Sequence, residues 1–580
     1  MAENSTDQFF KSTVLGHPSG LFVLFFTEMW ERFSFYGMRA LLVLFFTTSL
    51  TGGGWEWPRE HAMALFGSYV GLVYLSTMLG GYFADKIIGY RWAVLVGALL
   101  MTLGHASMAI ETHWSIYLGL VLLVFGNGFF KPNMTSIISE MYQHRPEKKD
   151  GAYTIFYMGV NSGAFFGILL CGYLGEKIGW SLGFGLAGIF MLFGLVQFWL
   201  AQNIFGNIGL KPKKNDINSA EALDNDKRVP FTKWQIALIL TMVTLGLLWI
   251  LNAPATTITE GKINVFAFLG ENGNNIAILT ALALFLVLLI YRFTQYSKIT
   301  REKLIAVTFF AFLSIFFWAI FEQTPGTLTI FANDYTNRIL DGNTALIFKI
   351  VNTCITIIPL SIITWVLYLL FKQTYKNYAS SNIILSLSFI IVWAACIWML
   401  NDQFSETKTE VPASWFAILN NLFIITLAPL FSKWWESKYN PSANVKYGIG
   451  MFLLGLGMAC VAFGAMGIEP GAKTASVSMV WLVFVYLFYT MGELCISPVG
   501  LSYVSKLVPA RMIAFMFGVW YLAIAIGMKG AGVFGENVDK IADEHGIGYF
   551  FWMLTIVSMV MAVVSIVFKP VIKKLMHGVH

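Results

Sequence analysis

The chain has 580 residues, of which 57% are hydrophobic and only 12% charged, whereas a soluble domain carries about 25% charged residues. With 51 Phe and 19 Trp, this composition argues against a soluble enzyme or binding module and fits a polytopic membrane protein. The formal net charge of +6 is no nucleic-acid signature, because the basic residues lie in short loops between apolar segments, where they report topology.

The first twenty residues, MAENSTDQFFKSTVLGHPSG, are polar and lack an apolar h-region, so the first span is expected to act as its own insertion signal. A membrane helix needs about 20 mostly apolar residues. On that criterion the predicted spans are 21–49, 64–84, 92–110, 115–139, 152–174, 182–203, 234–251, 275–292, 304–332, 345–371, 382–400, 413–435, 447–467, 478–505, 512–533 and 549–568, sixteen in all. The longest polar stretch, 204–233, contains KPKKNDINSAEALDNDKR and reads as a flexible linker. It divides the chain after six spans. A faint repeat supports two halves: GGYFADKIIGYRWAVLVGALL after the second span and APLFSKWWESKYNPSANVKYGIGMFLLG after the span at 413–435 share a polar turn with basic and aromatic residues. Parallel six-span halves are one standard transporter plan.

Loop charges set the expected orientation. With the N-terminus in the cytoplasm, the inside loops and tail hold the clustered bases: Lys86 and Arg91, Arg145, Lys148 and Lys149, Lys211 to Arg228, Arg292 to Lys303, Lys372 and Lys376, Lys433 to Lys446, Lys506 and Arg511, and Lys573 and Lys574. Each outside loop holds at most one base, such as Arg59, Lys177 or Lys540. The five cysteines, at 171, 354, 396, 460 and 495, fall in apolar segments without CxxC spacing and read as small packing residues. The eight histidines form no HExxH pair. Neither a disulfide nor a metal site is expected.

The chemistry sits where lipid should be. In FTEMWERFSFYGMRALL, Glu28, Arg32, Phe35, Tyr36 and Arg39 share one helical face, with Glu31 at its edge. A charge at the bilayer centre costs about 2.5–3.5 kcal/mol on insertion scales, so this face must line a wet cavity or pair internally. A structural ion-pair cluster between helices is the plain alternative, though buried pairs are poor sources of net stability. Lys131 precedes Pro132, Glu322 lies shortly before Pro325, and Glu493 lies before Pro498. A charge beside an expected helix break, three times over, favours a site. Together these residues describe a mixed-charge chamber at mid-membrane, suited to a zwitterion.

WERFSFYG with Glu28 ahead of it resembles the ExxER signature of the proton-dependent oligopeptide transporter family of the major facilitator superfamily. FFKPN is similar to that family's fourth-span lysine motif, FYMGVNSGAF to its fifth span, GELCISPVGL to its tenth-span signature, and GGYFADKIIGYR to the superfamily's loop between spans two and three. The resemblance touches nearly the whole chain in order. It implies an all-α polytopic membrane protein of major facilitator fold: a six-helix bundle over 1–203, a linker and two inter-bundle helices over 204–303, and a second six-helix bundle over 304–580. An extra two-helix insertion at about 341–402 departs from the family pattern. Lys349, near its outer end, reads as a snorkelling side chain.

The resemblance also implies the activity: a proton-coupled symporter, not an enzyme, that imports di- and tripeptides by alternating access. It would sit as a monomer in the cytoplasmic (inner) membrane with both termini inside, with the lipid bilayer around it, no nucleic-acid partner, and the proton as coupling ion in place of any cofactor. Glu28, Glu31, Arg32 and Glu322 are the expected proton-coupling residues. Arg32, Arg39 and Lys131 would meet a peptide carboxylate, and Glu493 with Asn161 and Asn420 its ammonium. Tyr36, Tyr69 and Trp520 are candidates for the lining, against ordinary packing. An Arg39–Glu322 pair is expected across the halves, and Lys131 is expected to exchange between Glu493 and the Glu28/Glu31 pair. Phe35 stands where the family usually has a second tyrosine, Asn421 where a proline is common, and Ala523 and Ile524 where polar residues are frequent. Other cargo on the same fold (another small zwitterion, an organic anion, a drug) and a peptide-sensing receptor are the alternatives.

Overall fold

The first apolar run becomes α1 (Ser19–Thr47), which starts just after Pro18 and stops where Thr48 turns extended. It is buried almost along its whole length. The computed structural model describes residues 12–143, 145, 148–211, 230–270, 272–508 and 513–578. The polar start up to residue 11, most of the expected linker (212–229) and Arg511 of the expected inside set lie outside the described residues.

Six helices form the first set: α1, α2 (Arg59–Phe83), α3 (Tyr90–Met108), α4 (His113–Met141), α5 (Lys149–Lys177) and α6 (Trp180–Ala201). Their main pairings are α1 with α5 and α6, α4 with α2 and α3, and α3 with α6. Next come α7 (Lys233–Ile258) and α8 (Gly273–Thr294), which pair with each other while α7 leans on α2. The second set uses α9 (Lys298–Phe321), α12 (Ile418–Glu436), α13 (Ala443–Gly464), α14 (Val480–Leu507), α15 (Ile513–Glu536) and α17 (Ile547–Val567). Here α13 lies between α14 and α17, and α9 against α15. Short helices complete the chain: α10 (Thr329–Asp334), the amphipathic α16 (Val538–His545), which was not expected, and α18 (Lys569–Leu575).

The insertion is α11 (Gly342–Ser405), two helical arms that meet at Tyr378 (φ −134°, ψ 40°). The arms fold back on each other: Asn352 Nδ2 donates to Gln403 Oε1 at 2.8 Å and Trp393 Nε1 to Thr364 Oγ1 at 3.0 Å. Lys349 is only 6% exposed and donates to the carbonyl of Glu406 at 2.7 Å. It therefore does not snorkel, as expected from sequence, but ties the mouth of the hairpin.

Among the described residues, fourteen helical stretches are long and apolar enough to cross a membrane. Adding the charged α1 and separating the two arms of α11 yields the sixteen crossings expected. Six two-residue strands pair at the loops: β1 (Thr13–Val14) with β2 (His17–Pro18), β3 (Thr336–Asn337) with β6 (Val477–Ser478), and β4 (Ile339–Leu340) with β5 (Thr409–Glu410).

Two expectations need correction. A helix break accompanies only Glu322: α9 ends there, a π-turn follows over Thr324–Leu328, and Gly326 leaves helical geometry (φ −110°, ψ −106°). α4 runs through Pro132, with Asn133 Nδ2 donating to Phe129 O one turn back at 2.6 Å, and α14 is continuous through Glu493. A proline in a buried membrane helix is tolerated where neighbouring polar groups satisfy the backbone. All five cysteines are free, but Cys354 is exposed on the hairpin and so is not a packing residue; Cys171, Cys396 and Cys495 are buried.

Candidate functional site

The acid cluster of α1 owes its position to α5. Gly159, Gly163 and Gly167 recur every four residues and let the α5 backbone lie directly on α1. A Cβ on Gly163 would stand 2.1 Å from Met29 O and 2.9 Å from Arg32 Cβ. Small residues at this spacing let membrane helices approach closely, and FYMGVNSGAFFG shows the pattern plainly, although its glycines drew no notice in the sequence reading.

On the face of α1 turned toward the second set of helices, Arg32 Nε sits 2.8 Å from Glu28 Oε1 and 2.8 Å from Glu31 Oε2. All three side chains are at most 4% exposed. Two turns on, Arg39 Nη2 reaches Glu322 Oε2 at 3.0 Å, joining α1 to the end of α9 across the two sets. Phe35 lies between the guanidiniums, 5.9 Å from Arg32 Cζ and 5.7 Å from Arg39 Cζ, and the ring of Tyr36 is 5.3 Å from Arg39 Cζ. Cation–π contacts of this kind favour a buried guanidinium.

Lys131 of α4 stands over the ring of Tyr74, 4.3 Å from its centroid, and forms no ion pair with Glu493, Glu28 or Glu31. It is still within electrostatic range of Glu28, Glu31, Arg32 and Glu322. Glu493 of α14 accepts from Asn420 Nδ2 of α12 at 3.1 Å, and the same amide donates to Thr490 Oγ1 at 3.0 Å. Glu493 feels the Glu322 charge. The four helices α1, α4, α9 and α14 thus bring Arg32, Lys131, Glu322 and Glu493 into one chain of electrostatic neighbours, Arg32 with Lys131, Lys131 with Glu322 and Glu322 with Glu493.

Tyr69 is buried on α2 within range of Arg39 and Glu31, its hydroxyl unpartnered. Asn161 donates to Tyr157 O in its own helix at 2.9 Å and touches neither Glu493 nor Asn420. Trp520 is 4% exposed and lies tight against Gly500, so it packs within the second set and is not brought to the charged groups. Two aromatic residues escaped the sequence reading. Tyr74 lies within electrostatic range of Glu322, Arg39, Arg32 and Glu493, and Tyr157 within range of Glu493 and Tyr36. Their signal was local: Tyr157 is one turn from Asn161, and Tyr74 lies five residues beyond Tyr69.

The chamber is closed toward the face that carries the end of α1 and the start of α2. There α2 meets α15 backbone to backbone, where a Cβ on Gly67 would be 2.5 Å from Gly532 Cα. Arg59 bridges Asp334 Oδ2 at 2.6 Å and Asp539 Oδ1 at 2.7 Å. Glu176, at the end of α5, accepts from the amides of Ala413 at 2.7 Å and Ser414 at 3.0 Å and from the Ser414 hydroxyl, capping the first turn ahead of α12. Trp415 Nε1 donates to Leu169 O at 3.0 Å. Toward the other face Arg91 donates to the carbonyls of Gly206 and Ile208, and His577 meets Glu302, each within its own set. Among the described residues no group of three His, Cys, Asp or Glu side chains could hold a metal.

Two six-helix sets enclosing a chamber of buried charges, shut at one face, define a major facilitator transporter. The sequence profile of the POT family matches residues 91–382 and 386–553, and the chain belongs to that family. It is 30% identical over 578 residues to the peptide transporter YePEPT of Yersinia enterocolitica, covering 98% of this chain and 96% of that one. Its identity to the di-/tripeptide transporter of Lactococcus lactis subsp. cremoris is 28%, with 98% of both chains covered. A crystal structure of a peptide transporter POT in complex with sulfate superposes with a TM-score of 0.70 at 28% identity, over 99% of this chain and 100% of that one.

Proposed function

We propose that this protein imports di- and tripeptides together with protons by alternating access, as a monomer in the cytoplasmic membrane with both termini inside. The convergence of two acid–base clusters, Arg32 with Glu28 and Glu31 and Arg39 with Glu322, beside the unpaired Lys131 and Glu493 carries the reading. The relatives' names as peptide transporters add the substrate class, and the basic inside loops supply the orientation. The proton is the coupling ion and no cofactor takes part. The units that rock are 1–203 and 304–580, with 204–303 between them.

Peptides of any sequence share two charged ends. Lys131, free of a carboxylate partner, meets the C-terminal carboxylate, with Arg32 and Arg39 as further donors. Glu493 meets the N-terminal ammonium while Asn420 holds its carboxylate in place, and Asn161, bonded to Tyr157 of its own helix, stands apart from that pair. Tyr36 and Tyr69, beside Arg39, belong to the aromatic lining that accepts varied side chains, whereas Trp520 supports the second set from within its packing. A substrate carboxylate that draws a cation away from its acid leaves that acid free to take a proton, so binding and protonation rise together. The Glu28/Glu31 pair serves this role through Arg32, and Glu322 through Arg39. Parting of Arg39 from Glu322 and of Arg59 from Asp334 and Asp539 opens the outer side. One proton charge crossing 100 mV supplies about 2.3 kcal/mol.

The test is uptake into vesicles under an imposed proton gradient. Glu28→Gln and Glu31→Gln each abolish uphill dipeptide uptake and leave counterflow exchange intact. Unimpaired uphill uptake in both variants removes the coupling assignment. Counterflow of labelled dipeptide that yields to nitrate or amino acids and not to peptides replaces the cargo on the same fold.

A further inference from the structure

The insertion occupies an odd position. α11 leaves the chain after α10 and returns before α12, yet its body lies on α6, with further contacts to α1 and α5. Its two ends are zipped by β4 and β5, with Ile339 opposite Glu410 and Leu340 opposite Thr409. At the mouth Tyr173 of α5 donates to Asp402 Oδ2 at 2.6 Å. The hairpin is therefore rooted in one set of helices and docked on the other.

What it docks on is the back of the acid cluster. Phe26 and Trp30 lie one turn apart on the face of α1 opposite Glu28 and Arg32, and both meet Phe389 of the hairpin edge-on, at 5.7 and 5.5 Å between ring centroids. In the same turn, Thr27 donates to Gln197 Oε1 at 2.6 Å, and Ser381 of the hairpin donates to the carbonyl of Gln197 at 3.1 Å. Phe389 is 3% exposed. A small apolar cleft lined by Met29, Trp30, Gly163, Leu360 and Phe389 lies beside it.

The glycine stripe of α5 brings α1 close but offers no side chain to stop it rotating, because glycine has no knob to lock into a groove. On the opposite side Phe190 of α6 stacks on Trp30 at 4.7 Å between ring centroids, and Phe389 closes the same ring edge-on, so rotation is fixed where α6 and the hairpin together hold Phe26 and Trp30. A turn of α1 that moved Trp30 off Phe389 would carry Arg32, Glu28 and Glu31 with it. We infer that the α11 hairpin completes, against α6, the seat that positions the acid cluster, with Phe389 as its positioning residue. This rests on the reading of Glu28 and Glu31 as the proton-coupling pair.

The test uses the full-length protein with Phe389→Ala and the milder Phe389→Leu. In Phe389→Ala, amide exchange in peptides spanning residues 24–36 rises about tenfold while that of α13 is unchanged. Uphill uptake falls at least about fivefold while counterflow stays within about twofold, the split that marks lost coupling over lost protein. Phe389→Leu recovers much of both losses. Unchanged exchange in α1, or uphill uptake and counterflow falling in the same proportion, overturns the inference. If Phe389→Ala is not recovered folded, Phe389→Leu is expected to show a smaller but resolved rise in exchange over residues 24–36 with α13 unchanged, and no rise in that variant overturns the inference. If the unsubstituted protein takes up no peptide, the transport reading fails by itself and the exchange measurement alone judges the hairpin.

Discussion

Ion pairs lie at three depths, and the difference separates chemistry from latching; Arg39 with Glu322 and Arg59 with Asp334 and Asp539 are the ones that join the two sets of helices. In the chamber, Arg32 with Glu28 and Glu31, and Arg39 with Glu322, have side chains at most 8% exposed. At the closed face, Arg59 is 12% exposed and its partners Asp334 and Asp539 are 27% and 31% exposed. Farther out, Lys473 and Asp543 are 61% and 52% exposed. The same charges lose more water with each step inward, so the inner pairs contribute little net stability while whole and cost much when halved. That makes the inner clusters sensitive to a proton or a substrate carboxylate, and leaves the outer ones as modest fasteners.

Substitution along this gradient would break or sharpen the contrast. Arg32→Ala leaves two carboxylates buried without their cation and is expected to cost about 3–5 kcal/mol, read as a large drop in the melting temperature of the purified protein. A loss no greater than that of an exposed pair would mean the cluster is solvated. Arg59→Ala removes two charged hydrogen bonds at an intermediate depth and is expected to cost about 2 kcal/mol and to raise the labelling of cysteines engineered near Gly67. Glu493 is hydrogen-bonded to Asn420 but ion-paired to nothing, so Glu493→Ala spares stability. It lowers uptake of free dipeptides about tenfold relative to N-blocked ones, about 1.4 kcal/mol of selectivity; equal losses on both would remove its contact with the ammonium.

The smallest effect belongs to Lys473→Ala, at most about 1 kcal/mol and smaller in high salt. The hydrogen bond to Asp543 holds the Lys473 ammonium above its ordinary range. The raised value means its contribution is whole below the unfolded lysine pKa and fades only as pH climbs through the folded one. A stability difference between Lys473→Ala and the unsubstituted protein that changed between pH 5 and 8 would contradict this.

Much of the site was legible because charges in an apolar segment have so few permitted positions. Arg32, Arg39, Glu322, Lys131 and Glu493 stand out on composition alone. Tyr74 and Tyr157 did not, since a tyrosine in a membrane helix is commonplace and only the neighbouring helices reveal which ring a lysine or a carboxylate faces. Trp520 and Asn161 show the reverse: both carry the family pattern, yet one is absorbed in packing and the other donates to its own backbone. The breaks expected at Lys131 and Glu493 failed because α4 and α14 continue unbroken past these residues, a single proline being tolerated in a membrane helix, whereas Gln323 to Gly326 do end α9 beside Glu322.

By itself the sequence determined sixteen apolar crossings, their alternation of loop charge, the inserted pair of helices and the helical face on which Glu28, Arg32 and Arg39 lie. Those follow from hydropathy and from the 3.6-residue period, which are local. Only the tertiary structure decided that the inserted hairpin docks on the back of α1, that Lys349 ties its mouth, and that Lys131 stands over Tyr74. Each of these depends on which distant surface fills a gap, and a one-dimensional pattern of apolar residues suits many such surfaces equally well.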